Sequence, residues 1–103
     1  MGQSYLIDTN VISDYLLNYF NDEGNIFLDE VVYLTPVISF ITQIELLSWK
    51  TDQKTENLIK DFISICYIVS ISDKIISNCV KIRRFKKIKT PDAIIAATAL
   101  TFD

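Results

Sequence analysis

The 103-residue chain contains no histidine. Without an imidazole it cannot assemble a Ser-His-Asp or Cys-His triad, and a zinc centre loses its commonest nitrogen ligand. Its two cysteines, Cys66 and Cys79, form no CxxC pair, so a zinc ribbon and haem attachment are excluded. Both lie in apolar surroundings, which predicts buried free thiols in a reducing compartment. Gly2 and Gly24 are the only glycines. No glycine-rich loop can cradle a phosphate, and Rossmann and P-loop readings fail on that count. Long apolar runs are missing too, so no segment is expected to span a bilayer. The start, Met1-Gly2-Gln3-Ser4, lacks the basic end and apolar core of a signal peptide. Leu6 stands where a myristoylation signal needs Ser or Thr. A cytoplasmic protein without a membrane partner is expected.

About half of the residues are apolar, which fits one small domain over residues 1–103 with a thin stability margin. The net charge of −3 rules out a basic nucleic-acid coat. The distribution says more: Lys81, Arg83, Arg84, Lys86, Lys87 and Lys89 hold six of the ten basic residues. Such a stripe on an acidic body suits an anionic partner. A solvated helix face, or cations placed at a helix C-terminus, accounts for it equally.

Apolar runs punctuated by turn residues alternate along the chain. Residues 4–8 predict a short strand, and Ser13 a cap for a helix from Asp14 to about Phe20. Residues 21–25 form a turn cluster, and Ile26–Tyr33 a loosely patterned helix. Pro36 breaks that helix, and Val37–Ile41 is a β-branched strand. Thr42-Gln43-Ile44-Glu45 reads as a capping box opening a helix to about Lys50. Thr51–Ile63 is an amphipathic helix with Leu58, Ile59, Phe62 and Ile63 inward, and Cys66–Ile71 a third strand. Ser72-Asp73 caps a long helix that ends in the basic stripe. Thr90-Pro91-Asp92 opens the last helix with Thr90 as cap and Pro91 at the first position; the small residues of Ala93–Leu100 allow close packing on a sheet. Strands separated by helices give an α/β class with a parallel sheet.

Three acids stand out. Asp8 ends an apolar strand, where turn-forming aspartate is common. Glu45 completes a capping box, and Asp92 sits where a helix dipole favours an acid. Each has a local explanation. In a parallel α/β fold, however, strand ends and helix starts share the carboxyl edge of the sheet, where ligands bind. Carboxylates gathered there repel one another unless a cation lies between them. An oxygen-only ligand set points to Mg²⁺ or Mn²⁺.

Leu6-Ile7-Asp8-Thr9-Asn10-Val11-Ile12-Ser13, then Ile38 to Leu47 around Glu45, then Lys89-Thr90-Pro91-Asp92-Ala93 onward to Leu100, resemble the PIN domain. More narrowly they resemble the VapC-type toxins of bacterial toxin–antitoxin pairs. Order, spacing and flanking residues match over nearly the whole chain. The resemblance implies a three-layer fold and a metal-dependent endoribonuclease. In it Asp8, Glu45 and Asp92 would be catalytic and hold Mg²⁺ or Mn²⁺, with Thr9 and Asn10 orienting ligands or water behind them. It implies a cognate antitoxin and a homodimer as partners. Arg83, Arg84, Lys86, Lys87 and Lys89 are the candidate RNA contacts.

The family pattern continues with a fourth strand and often a fourth acid, whereas this sequence stops at Thr101-Phe102-Asp103. The expectation is a PIN-like domain truncated at its C-terminus, with the Asp8 strand exposed on one edge and covered by self-association. Truncation would weaken catalysis. The competing reading is a non-catalytic PIN-like module that binds an antitoxin or another chain. A receiver or phosphatase reading ranks below both because Val37–Ile41 does not end in an acceptor aspartate.

Overall fold

The computed structural model describes residues 6–17, 24, 29–31, 33 and 35–102. Five named helices and two strands lie within them. They are α1 (Thr9–Leu16), β1 (Val37–Ser39), α2 (Phe40–Ser48), α3 (Gln53–Ile65), β2 (Tyr67–Val69), α4 (Asp73–Phe85) and α5 (Thr90–Phe102). Strands β1 and β2 are parallel, pairing Val37 with Tyr67, Ile38 with Ile68 and Ser39 with Val69. Leu6 forms a parallel bridge to Val37 on the other side of β1, and the Ile7 N–H donates to the Val37 carbonyl at 2.9 Å. The first, second and third extended segments therefore lie side by side with β1 in the middle. The expected strand over 4–8 is seen only at this bridge, since residues 1–5 lie outside the described set.

The pleat of β1 divides the interior into two cores. Ile38, fully buried, packs with Ile7, Ile12, Val31, Leu46, Ile59 and Phe62. Val37 points the other way, onto Val69, Ile75, Cys79, Ala93 and Ala97. Successive strand side chains alternate in this way because the backbone repeat is two residues. Helices α1–α3 thus cover one face and α4–α5 the other, which is the expected three-layer arrangement. Ala93 and Ala97 are both 0 % exposed, and α5 packs chiefly against α4. The small-residue helix therefore closes mainly onto a helix, with Val69 and Val37 at the sheet end of the contact. Asn78 Nδ2 donates to Thr101 Oγ1 (2.9 Å) and joins the two helices near the α5 C-terminus.

Several boundaries differ from the local reading. Helix α1 starts at Thr9, not Asp14: Asp8 is its extended N-cap residue and the Ile12 N–H donates to the Asp8 carbonyl. Ser13 lies inside the helix with its hydroxyl donating to the Asn10 carbonyl at 3.0 Å. Burial of Ile12, 1 % exposed, decides the start, because most helical stability comes from a packed apolar face. Strand β1 stops at Ser39, whose Oγ accepts the Ile41 N–H at 3.2 Å and caps α2. Thr42 is therefore no cap; it lies within α2, fully buried. Helix α3 starts at Gln53 and not at Thr51, with Asp52 as its cap accepting the Thr55 N–H at 2.8 Å. Of the four predicted inward residues Leu58 is exposed, while Ile59 and Phe62 are buried and Ile63 is partly buried. The third strand is trimmed to Tyr67–Val69, since Cys66 still closes α3 with its N–H on the Ile63 carbonyl. The Ala93 N–H donates to the Lys89 carbonyl, so Thr90 is already the first helical residue and Pro91 the second. A missing N–H is tolerated there, since the first four have no intrahelical partner.

Ser72 caps α4 as predicted, accepting the Ile75 N–H at 3.2 Å. Gly24, within the predicted turn cluster, is helical, and so are residues 29–31 and 33; the remainder of 18–34 lies outside the described residues. The Tyr15 hydroxyl donates to the Asp29 carboxylate. Partial burial, then this carboxylate, push the phenol up to about 12, so the tie from α1 persists through neutral pH. Thr35 has φ 72° immediately before Pro36, a left-handed conformation that a β-branched residue adopts only under strain.

Candidate functional site

Strand β1 runs directly into α2 through the Ser39 cap, and the Leu6 bridge runs into α1 through Asp8. Both helices therefore begin at the carboxyl edge of the parallel strands. Helix α2 touches both α1 and α5. Phe40 at its start lines one groove with Thr90 and Ile94, so α5 begins on the same side. The elements bearing Asp8, Glu45 and Asp92 meet as the topology requires.

Their side chains are only partly gathered. Thr9 Oγ1 donates to Glu45 Oε1 at 2.6 Å, closing the first segment onto the second. Thr9, Asn10, Ser13, Glu45, Leu46 and Trp49 line a pocket of about 240 Å³. The Asp8 carboxylate is exposed and makes no cap bond to its own helix. Asp92 is exposed in the first turn of α5, outside that pocket. Among the described residues no three acid, histidine or cysteine side chains are grouped closely enough to hold a metal ion. In kind the donors do suit a hard divalent cation: all three are solvent-facing carboxylates. Asp8 and Glu45 are linked through Thr9, whereas Asp92 is brought close only by its helix.

Glu45 is not the third residue of a capping box. With Ser39 as cap it falls in the second turn of α2, on the margin of the buried stripe made by Thr42 and Leu46. Trp49, at the C-cap of α2, was not signalled by any local rule. Its position four residues past Glu45, on the same side of the helix, is the cue that could have found it.

The basic stripe is exposed throughout, from Lys81 and Arg83 to Lys89. Arg83 and Arg84 occupy the last turn of α4, where cations suit the helix dipole. The Arg83 Nε–H reaches the Ile88 carbonyl at 3.4 Å. Both arginines line the groove that contains Thr90, so the stripe borders the helix start that carries Asp92. Lys86, Lys87 and Lys89 lie in the connection to α5. The two cysteines are free: Cys79 is buried and Cys66 half-buried. Burial pushes the Cys66 thiol up to about 11.

An α/β architecture with acids at the carboxyl edge of a three-segment parallel sheet is a frame used by carboxylate-based hydrolases. The PIN domain family model matches residues 5–103, and the chain belongs to the PIN domain family. Among solved structures it is similar to a toxin–antitoxin complex from Klebsiella pneumoniae. The identity is 32 % and the TM-score 0.72, covering 94 % of this chain and 78 % of that one. It is also similar in fold to VapBC2 from Rickettsia felis bound to a DNA fragment from their promoter. That match has 20 % identity and a TM-score of 0.74, over 94 % of this chain and 80 % of that one. No functionally curated protein matches it. The resemblance to VapC-type toxins, read from three segments of sequence, is borne out at the level of family and fold. No described helix is long and apolar enough to cross a membrane.

Proposed function

We propose that residues 1–103 act as one PIN unit and that the chain is a metal-dependent endoribonuclease, the toxin of a toxin–antitoxin pair. The observation that carries this reading is the Thr9–Glu45 hydrogen bond, which joins two of the three motif segments in a chain of this family. Asp8, Glu45 and Asp92 would hold Mg²⁺ or Mn²⁺. Bound there, such an ion supplies a Lewis acid that acidifies water and offsets charge on a phosphodiester. The chain itself orients Glu45 through Thr9 and leaves the Asp8 carboxylate uncommitted to its own helix. Arg83, Arg84, Lys86, Lys87 and Lys89 add cations beside the start of α5, a surface for the RNA backbone. An antitoxin is the protein partner by analogy with the Klebsiella complex.

Mn²⁺ titration by calorimetry and cleavage of a structured RNA test the reading. Asp8→Asn is expected to abolish cleavage and weaken the metal. Cleavage at the wild-type rate in Asp8→Asn would overturn it.

Self-association belongs to the same reading. The first-strand edge lies largely outside the described residues, but α4 presents Ile76 and Val80, 46 % and 49 % exposed, beside Ile71. Contiguous apolar surface of this kind marks a contact site. A second copy of the chain is the proposed occupant. Light scattering is expected to show a dimer that Val80→Lys dissociates; a monomeric wild type would exclude it.

A further inference from the structure

We infer that the pocket between α1 and α2 is a subsite for one unpaired nucleobase, with Trp49 as its stacking platform; the inference rests on the ribonuclease reading. Trp49 is the only tryptophan in the chain. It is half-buried and packs against the core around Ile38 and Leu46, so its ring is held in place. It also lines a pocket whose other walls are mostly polar: Thr9, Asn10, Ser13 and Glu45 beside Leu46. A half-buried aromatic side chain lining a mostly polar cavity can stack a base, since every base offers a π-face.

The wall chemistry selects the ligand. Glu45 is a carboxylate with one oxygen taken by Thr9, so an anionic group is repelled from the pocket itself. A neutral base is not. The Ser13 hydroxyl is already used on the Asn10 carbonyl. The exposed side-chain amide of Asn10 has no partner among the described residues, leaving a donor and an acceptor for a base edge. The volume of about 240 Å³ suits a single base and not a base pair, so the strand must be single. Trp49 follows Glu45 by four residues, about one helical turn, a rise of roughly 6 Å. A base on the indole thus leaves its own sugar–phosphate outside the pocket, on the side of the proposed catalytic carboxylates, where a bound divalent cation would offset the repulsion.

The lone indole makes the test direct. Wild-type protein in EDTA is titrated with a short single-stranded RNA, and with an abasic phosphodiester of equal length, while tryptophan fluorescence is followed. Quenching by the RNA and not by the abasic strand is expected. In anisotropy with a labelled RNA, Trp49→Leu is expected to bind about 5- to 100-fold more weakly, and Trp49→Phe to recover most of the loss. Thermal melting shows whether each variant is folded. Equal quenching by both strands, or Trp49→Leu binding RNA as tightly as Trp49→Phe, would overturn the subsite. The two readings fail separately. Base-dependent quenching without cleavage under any divalent metal removes the nuclease and keeps the subsite. Cleavage with KM unchanged in Trp49→Leu removes the subsite and keeps the nuclease.

Discussion

Thr9→Val isolates the one hydrogen bond that joins the first and second motif segments. Valine keeps the β-branched shape at the first helical position of α1, so packing and helix propensity change little. What is lost is the 2.6 Å bond from Oγ1 to Glu45 Oε1. A bond to a charged acceptor is stronger than a neutral one, but both groups are within reach of water, which places its net value at about 1 kcal/mol. For a domain of this length that corresponds to a fall in Tm of roughly 4–8 °C. Glu45→Ala removes the same bond from the other side. The double variant should therefore be less destabilised than the sum of the singles, with a coupling of about 1 kcal/mol in denaturant unfolding. Thr9→Ser, which keeps the hydroxyl, should retain most of it. Additivity within about 0.3–0.5 kcal/mol, the range for independent sites, would refute the bond as a positioning contact. Mn²⁺ affinity supplies a second readout: a severalfold loss in Thr9→Val and little in Thr9→Ser.

Two further expectations concern stability. The Thr42 hydroxyl is fully buried without a hydrogen-bond partner among the described residues, so Thr42→Val should leave Tm unchanged or raise it, as removing an unsatisfied polar group is neutral or stabilising; a fall of several degrees would refute this. The Thr55 hydroxyl and backbone N–H, donating to Asp52, hold its carboxyl below its usual 3.8. A depressed acid contributes stability that is present above its unfolded pKa and is lost as pH falls through the folded value. Asp52→Asn should accordingly be less stable than the wild type at neutral pH, with the gap closing as pH falls below about 4, measured by thermal melts across an acid series.

The order of elements was legible because β-branched runs and cap residues punctuate the chain. The starts of helices were less so. Asp8 competes with Ser13, Ser39 with Thr42, and Asp52 with Thr51, and each satisfies a capping rule. Local chemistry cannot rank them; burial of Ile12, Leu46 and Ile59 does. Asp8, Thr9 and Glu45 read as a candidate site through their flanking residues, and the structure joins the latter two by a hydrogen bond. Asp92 was legible as a helix-start acid, but its approach to the others depends on the packing of α5 against α4 and α2, which no sequence spacing encodes. Trp49 was silent because an aromatic at a helix end follows no local rule.

The displaced helix start has a consequence for the chemistry. Had α2 opened at a Thr42 cap, Glu45 would be the third residue of a capping box, and its carboxylate would bend back to the cap's own N–H. Ser39 caps the helix instead. That places Glu45 one turn further on, beside the buried Leu46, with a carboxylate that faces α1 and meets Thr9. Asp8 follows the same logic: it stands at an N-cap, yet makes no cap bond. Asp52 provides the contrast, since its carboxylate is committed to Thr55. Acids at helix starts in this chain therefore divide by use. One whose oxygens satisfy the backbone is a structural cap. Asp8, with no cap bond, and Glu45, with one oxygen accepting from Thr9, are the acids proposed for a ligand, and it is the Ser39 cap that keeps Glu45 among them.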